Sequence, residues 1–466
     1  MTRKVPMGAA ALILAAGEGT RMRSSLPKVA HRILGVPLVR YVLDAAYDAG
    51  CGRVVVVTGH GAELVESLLG GETCVRQERQ RGTGHAVMCA EAALAGVTGS
   101  LVVLSGDAPL LQASTIARLV EARETSGAAA VVLTTSLHDP TGYGRIVRDD
   151  AGALSAIVEH RDLGPAQLGI AEVNTGTYCF DAEVLFEHLH RLGTANAQGE
   201  YYLTDMIALL RAEGLTIAGI ATGEPEETLG VNTRVQLAEA AKVLQRRINR
   251  EHMLGGVTMT DPDLVWIAPS VGLGRDVVLE PMTTLMGATS VGDGCVLGPD
   301  TRVTDSTIAP RATIDSSIVV GAVVGEDACV GPRAYLRPGT VLEAHAKAGT
   351  SVEIKNSVIG EGSKVPHLSY IGDAAVGKGV NIGAGTITCN YDGQRKHRTQ
   401  IGDGAFIGSD TMLVAPVSIG EGAMTGAGSA IAQDVPAGAL GIERCDQKNV
   451  DGWVAFKKAG QGSDDQ

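Results

Sequence analysis

Aromatic side chains are scarce in this sequence, with 4 Phe, 2 Trp and 9 Tyr among 466 residues. Its cores must therefore be packed with Ala, Val, Ile and Leu. Positive charge is also in deficit: the formal net charge is -13, so the bulk surface repels polyanions, and nucleic acid is excluded as a partner. Any phosphate site must then be a local gathering of Lys, Arg and backbone N–H groups. Nothing reaches the roughly 18 consecutive apolar residues that a membrane span requires. The cysteines at 51, 74, 89, 179, 295, 329, 389 and 445 include no CxxC pair and no metal-ligand spacing. That pattern suits reduced, mostly buried thiols in a cytoplasmic protein.

Glycine, by contrast, is abundant at 61 residues without a collagen period, which points to many tight turns. With 45% hydrophobic and 20% charged residues the chain is globular, and its length calls for two or three domains. The opening MTRKVPMGAAALILAAGEG has the outline of a secretory signal. We read AALILA instead as a buried first strand running into a glycine loop, because cleavage at the alanines would sever the strand from the loop it positions.

Two periods divide the chain. Over residues 8 to about 230, AALILA, RVVVVTG, SLVVLSGD and AAAVVLTT are continuous apolar runs separated by amphipathic stretches such as PLVRYVLDAAYDAG and GTGHAVMCAEAALAG. Such runs belong to strands covered on both faces, so an α/β domain with a mostly parallel sheet is expected. RVQLAEAAKVLQRRINREHML, residues 234–254, reads as one amphipathic connecting helix through Leu237, Ala241, Leu244 and Ile248. Beyond it an aliphatic residue recurs every six positions, usually before Gly, as in Val291-Gly292, Leu297-Gly298, Val324-Gly325, Val330-Gly331, Ile401-Gly402 and Ile407-Gly408. This is the hexapeptide signature of a parallel β-helix. Two interruptions are expected, at 345–371 and at the basic insertion NYDGQRKHRTQ, residues 390–400. The expected domains are 1–233, a connector at 234–256, and 257–466.

The loop GEGTRM follows the first strand, with Arg21 and Lys28 close by. Glycines let backbone N–H groups approach a phosphate, and two cations beside them fit a nucleoside triphosphate or diphospho-sugar. Asp107 ends an apolar strand at the carboxyl edge of the sheet, where open α/β folds bind ligands. Nucleotidyl transfer uses Mg²⁺, which takes one or two protein oxygens, and Asp107 is the natural first ligand. In the second half, His367 stands in a packing repeat that has no need of it, accompanied by Arg337, Lys355, Tyr370 and Asn381. The cations suit a sugar phosphate, and the imidazole suits removal of a proton from an amine during acyl transfer.

LAAGEGTRM, LPK, RGTGHA, GDAPL, GYGRI, VEH, NTG and GVNTR occur in the order found in sugar-nucleotide pyrophosphorylases. Joined to hexapeptide repeats, the chain from about residue 9 to about 457 closely resembles the bifunctional N-acetylglucosamine-1-phosphate uridyltransferase and glucosamine-1-phosphate acetyltransferase family. The resemblance implies a Rossmann-like nucleotidyltransferase domain, followed by a left-handed parallel β-helix. It implies that Leu14, Ala15, Ala16 and Gly17 approach uracil and ribose and that Arg21 and Lys28 hold the triphosphate. By the same resemblance Gln77, Gly82 and Thr83 recognise uracil, Ser105 and Gly106 lie beside the nucleotide, Gly144, Glu159 and Asn174 bind the sugar, and Asp107 and Asn232 ligate Mg²⁺. For acetyl transfer it implies His367 as base and Arg337, Lys355, Tyr370 and Asn381 around glucosamine 1-phosphate. Ala384, Asn390, Tyr391, Ser409, Ala427 and Arg444 would bind acetyl-CoA, with Lys396 contributed by a neighbouring subunit of a homotrimer. Trp453 and Lys457-Lys458 look like the family's closing segment, and the acidic GSDDQ end is assigned no role beyond fraying. A single-activity pyrophosphorylase with a non-catalytic β-helix would not need His367, Lys355, Tyr370 and Asn381 together. A non-catalytic sugar-nucleotide binding scaffold would not need Arg21, Lys28, Asp107 and Asn232.

Overall fold

A computed structural model describes residues 8–461, so the GSDDQ end lies outside the described residues. Contacts divide the chain into two compact units, with the boundary between Arg247 and Ile248.

In the first unit Ala10–Ala15 (β1), Arg53–Thr58 (β2), Thr73–Arg76 (β3), Ser100–Ser105 (β4), Ala130–Ser136 (β5), Arg145–Arg148 (β6), Leu154–Val158 (β7), Glu172–Asp181 (β8) and Ile217–Ala221 (β9) form one sheet. Its order is β9-β5-β8-β4-β1-β2-β3, with the β6–β7 hairpin attached to β8. Only β8 breaks the parallel run along that path, lying antiparallel to β4 and β5. The four apolar runs read from the sequence are β1, β2, β4 and β5. They are apolar throughout because both faces are covered: Leu12 packs into one buried cluster and Ile13 into another. From β1 the chain steps to β2 and β3 on one side, then returns to lay β4 on the other. The carboxyl ends of β1 and β4 thus flank the point where strand order reverses, which is where such sheets open a crevice.

The helix Arg234–Leu254 is found as expected. Thr233 and Gln236 form its capping box: the Gln236 N–H donates to Thr233 Oγ1 at 3.2 Å, and Gln236 Oε1 accepts from the N–H groups of Asn232 at 2.9 Å and Thr233 at 3.1 Å.

The second unit consists of parallel strands stacked in three sheets of eleven, ten and nine strands among the described residues, the left-handed parallel β-helix of hexapeptide repeats. One column of interior residues runs Leu279, Leu297, Ile314, Val330, Ala348 and Val365, each at most 2% exposed and paired with the next in register. The expected break at 345–371 is absent. Ala348, Ile354, Ile359, Val365 and Ile371 are all 0% exposed and continue the interior. The coil was hidden because Ala348 is not a large aliphatic residue, Ile354 and Val365 lack the following Gly, and the step from Ile354 to Ile359 is five residues long. The interruption at 390–400 is real: it is a loop between the strands Ile387–Cys389 and Thr399–Ile401. All eight cysteines are free, but only Cys51, Cys179 and Cys295 are buried, while Cys329 and Cys445 are exposed. Cys329 precedes the inward Val330, so strand alternation turns it outward.

Leu336 lies inside the coil, in register with Val319 and Ile354, at 0% exposure. Leu336→Ala leaves a cavity between rungs that cannot collapse independently, and is expected to cost the β-helix about 2–5 kcal/mol. Thermal unfolding followed by calorimetry should show the β-helix transition move down; an unmoved transition would refute the packing assignment.

Candidate functional site

The glycine loop leaves β1 and is shaped by contact with Lys28. Gly19 has φ +69°, and a Cβ there would lie 2.5 Å from Lys28 Cβ, so only glycine lets the loop close over the lysine. The Lys28 ammonium binds Asp107 Oδ2 and, at 3.0 Å, Asn232 Oδ1, to which Arg21 Nη2 also donates at 2.9 Å. Asn232 is brought there by a backbone bond from the Val231 N–H to Asp107 O at 2.8 Å and by the capping box just beyond it. Four residues spread over more than 200 positions thus meet at the carboxyl end of β4.

Two adjoining cavities open at this point. The first, of ≈ 390 Å³, is lined by Leu14, Ala15, Ala16, Gly17, Lys28, Gln77, Gly82, Thr83, Ser105 and Asp107. The second, of ≈ 210 Å³, is lined by Ser105, Asp107, Gly144, Glu159, Asn174 and Asn232. Ser105 and Asp107 belong to both. Gly106 and Arg21 line neither: Gly106 packs its N–H onto Leu14 O at 2.9 Å and Arg21 reaches the group through Asn232. The sequence reading missed Gln80 and Glu200 in the first cavity and Tyr143 and Thr228 in the second; Gln80, Glu200 and Thr228 lie outside the quoted motifs, and Tyr143 lies within GYGRI, where only Gly144 was singled out.

Asn174 is buried and donates to Tyr178 Oη at 2.7 Å. Burial pushes the Glu159 carboxyl up, against a hydrogen bond from Thr204 Oγ1 at 3.2 Å. A carboxyl raised on folding costs nothing while it is neutral in both states. Its cost appears as pH rises above the unfolded value near 4.5 and grows until pH passes the folded value. Glu159→Gln stays neutral, so its stability relative to wild type should increase between about pH 4 and about pH 7. Denaturant midpoints across that range test this, and a constant difference would contradict it.

In the β-helix a polar group gathers on one sheet. Arg337 Nη1 donates to Glu353 Oε1 at 2.7 Å, and Glu353 is in register with Tyr370. Lys355 Nζ lies 3.9 Å from Asp373 Oδ2. Asp373 is buried and accepts from Asn356 Nδ2 and Asn390 Nδ2, each at 2.6 Å; Asn390 also lies 3.5 Å from Tyr370 Oη. The inserted loop closes with a bridge between Tyr391 and Lys396 and folds back within the chain. The Lys396 ammonium beside Lys355, together with desolvation, holds the Lys355 amine below its usual range, with Asp373 opposing. Asp373, Asn356 and Glu353 were not singled out from the sequence, where they read as turn and surface residues.

Ala384, Ser409, Ala427 and Arg444 form a separate column on successive coils. The Asp410 N–H bonds Ala384 O at 2.6 Å, the Gly428 N–H bonds Ser409 O at 2.8 Å, and Arg444 Nη1 donates to Ala427 O at 3.0 Å. His367 ends the strand Lys364–His367, paired with Thr350, and Tyr370 begins the next strand across a corner. Asn381 pairs with Lys364 on the same sheet as His367. The His367 ring is exposed, and among the described residues neither it nor the Asn381 side chain makes a hydrogen bond.

Residues 11–169 match the MobA-like NTP transferase domain family, and residues 398–433 match the bacterial transferase hexapeptide family (six repeats). Among curated proteins the chain is similar to the bifunctional protein GlmU of Heliobacterium modesticaldum, 51% identical over 451 residues, 97% of this chain and 98% of that protein. It is 50% identical to GlmU of Trichlorobacter lovleyi over 453 residues, covering 96% and 98% of the two chains. With GlmU of Streptomyces coelicolor it shares 48% over 462 residues, covering 98% and 96%.

Proposed function

The chain belongs to the bifunctional GlmU family, and on that premise we propose that its β-helix acetylates glucosamine 1-phosphate from acetyl-CoA and its α/β unit then transfers uridylyl from UTP to N-acetylglucosamine 1-phosphate. It is a transferase of UDP-N-acetylglucosamine synthesis. The observation that carries this reading is that relatives match over both units, and each unit holds its own polar site. We assign residues 1–233 to uridylyl transfer, 257–466 to acetyl transfer and 234–256 to the connection.

In the first reaction His367 takes the proton from the glucosamine amine as its nitrogen attacks the thioester carbonyl, and CoA leaves as the thiolate. Arg337 and Lys355 hold the sugar phosphate, Tyr370 and Asn381 the sugar. Lys355, held below its usual range beside Lys396, gains charge stabilisation when the sugar phosphate arrives. Ala384, Asn390, Tyr391, Lys396, Ser409, Ala427 and Arg444 hold acetyl-CoA.

In the second reaction an oxygen of the sugar phosphate attacks the α-phosphorus of UTP in line, and pyrophosphate leaves. No covalent intermediate is needed, because alignment and charge supply the stabilisation. Arg21 and Lys28 hold the triphosphate, Gln77, Gly82 and Thr83 the uracil, and Gly144, Glu159 and Asn174 the acetylated sugar. The donor set suits a small hard cation: the Asp107 and Asn232 oxygens both face the single cationic nitrogen of Lys28, and the remaining places fall to water and phosphate. Mg²⁺ held there would neutralise charge that builds on the departing pyrophosphate.

The substrates are small molecules and the hexapeptide unit serves oligomerisation; we assign a homotrimer. Among the described residues no helix is long and apolar enough to cross a membrane. We assign a cytoplasmic location on the scattered cysteine pattern of the sequence. The test is a coupled assay with glucosamine 1-phosphate, acetyl-CoA, UTP and Mg²⁺, following CoA thiol and pyrophosphate separately. Both products are expected. Pyrophosphate only from already acetylated sugar phosphate, with no CoA freed, would reduce the β-helix to an assembly module.

A further inference from the structure

His85, in the RGTGHA stretch, is absorbed by none of the roles above. It lies on the first turn of the helix Thr83–Ala90, behind the wall of the larger cavity rather than in it. Its Nδ1 is 3.0 Å from Gln77 Nε2, and the same Nε2 donates to Gly82 O at 3.1 Å. A backbone carbonyl can only accept, so the amide must turn its NH₂ toward Gly82. The second N–H then points at His85, whose Nδ1 must carry a lone pair and whose proton must sit on Nε2. With both N–H groups engaged, Gln77 offers its oxygen alone as an open acceptor on the cavity it lines.

The arrangement is rigid. Gln77 is 4% exposed. The Gly84 N–H donates to Tyr201 O and the Tyr201 N–H to Arg81 O, each at 2.8 Å, and the His85 and Tyr201 rings stack with centroids 6.3 Å apart. Gly82 has φ +102°, and a Cβ there would lie 2.4 Å from Tyr201 O, so the loop is pinned against this segment. The groups facing the imidazole are Gln77, the Cys89 sulfur at 3.9 Å, the Tyr201 ring, and Arg81, whose guanidinium sits 5.1 Å over that ring. Burial, and then the Arg81 charge, push the imidazole down, which favours the neutral ring that can accept.

Taking Gln77 as the residue that reads the base, we infer that His85 is a positioning residue that sets the choice of pyrimidine. By accepting one amide N–H it holds the Gln77 oxygen toward the base, where it accepts the N3–H of uracil. Cytosine presents a lone pair at N3, so two acceptors would face one another without a proton. A site built around one donor in this way rejects the analogue lacking it. With His85 in place, an amide flip that presents the NH₂ to a base with an acceptor at N3 gives up two hydrogen bonds; without it the flip gives up only the bond to Gly82 O, and such a base is less strongly rejected.

The experiment measures kcat/KM for UTP and for CTP with N-acetylglucosamine 1-phosphate and Mg²⁺ in full-length wild type and variants. His85→Ala, and His85→Lys, which can only donate, should each lower the UTP:CTP ratio by at least about tenfold. His85→Asn, whose Oδ1 can stand where Nδ1 stood, should keep most of the ratio. If the Ala variant fails to fold, the Lys and Asn variants carry the comparison. A merely structural role would lower both nucleotides together; an unchanged ratio in the His85 variants, with Gln77→Ala lowering it, overturns the inference. A ratio unchanged in Gln77→Ala as well would show that Gln77 does not read the base, and both readings would fall.

Discussion

His367→Ala is expected to cut CoA release by at least about a hundredfold, while pyrophosphate release from UTP and N-acetylglucosamine 1-phosphate stays near wild type. A positioned base contributes roughly 10²–10⁴-fold to a proton transfer of this kind. The residue is well placed to show that loss cleanly. Its ring is exposed and makes no hydrogen bond among the described residues, so truncation removes no packing and leaves no buried group unpaired. Its strand neighbour Val365, and Ile371 on the next strand, stay in the coil interior. A variant that retained CoA release would place the base elsewhere. A variant that lost both activities would show that the two units do not act separately.

Asp107→Ala is expected to produce the reciprocal result, with pyrophosphate release down by at least about a hundredfold and CoA release unaffected. The Asp107 side chain is 17% exposed and paired with Lys28 at 15%. Removing the carboxylate strips Lys28 of its counter-charge and deprives the site of an oxygen facing the triphosphate. Asp107→Asn keeps the shape and removes the charge, and should lose nearly as much if charge is what the site requires. Chelation of Mg²⁺ with EDTA in wild type should likewise stop pyrophosphate release and spare CoA release. Full pyrophosphate release by Asp107→Asn would leave the residue a positional role only.

Much of this could be read along the chain. The apolar runs that became β1, β2, β4 and β5 announce their burial by having no polar alternation, and the connecting helix announces itself by its amphipathic spacing. Strict counting by six nevertheless skipped Ile308 and Val319 and reported a break at 345–371, because the interior of a coil tolerates five-residue steps that keep the side chain inward. The site residues found were those with a chemical type out of keeping with their surroundings, such as Asp107 after an apolar strand and His367 in a packing repeat. Asp373 escaped because a short acid after glycine looks like any turn. Only the stacked coils show it buried and accepting from Asn356 and Asn390 on two other rungs.

The sequence by itself determined where strands, helices and coils form, since period and capping depend on residues within one or two turns of each other. The tertiary structure alone decided which side chains meet. Lys28 and Asn232 are 204 positions apart yet share a hydrogen bond, Lys396 folds back onto Lys355, and the Gln77 amide takes its orientation from Gly82 and His85. Such meetings depend on sheet order, on loop closure and on which hydrogen-bonding partners remain once the backbone has been paired, and none of these is a property of a local stretch of chain.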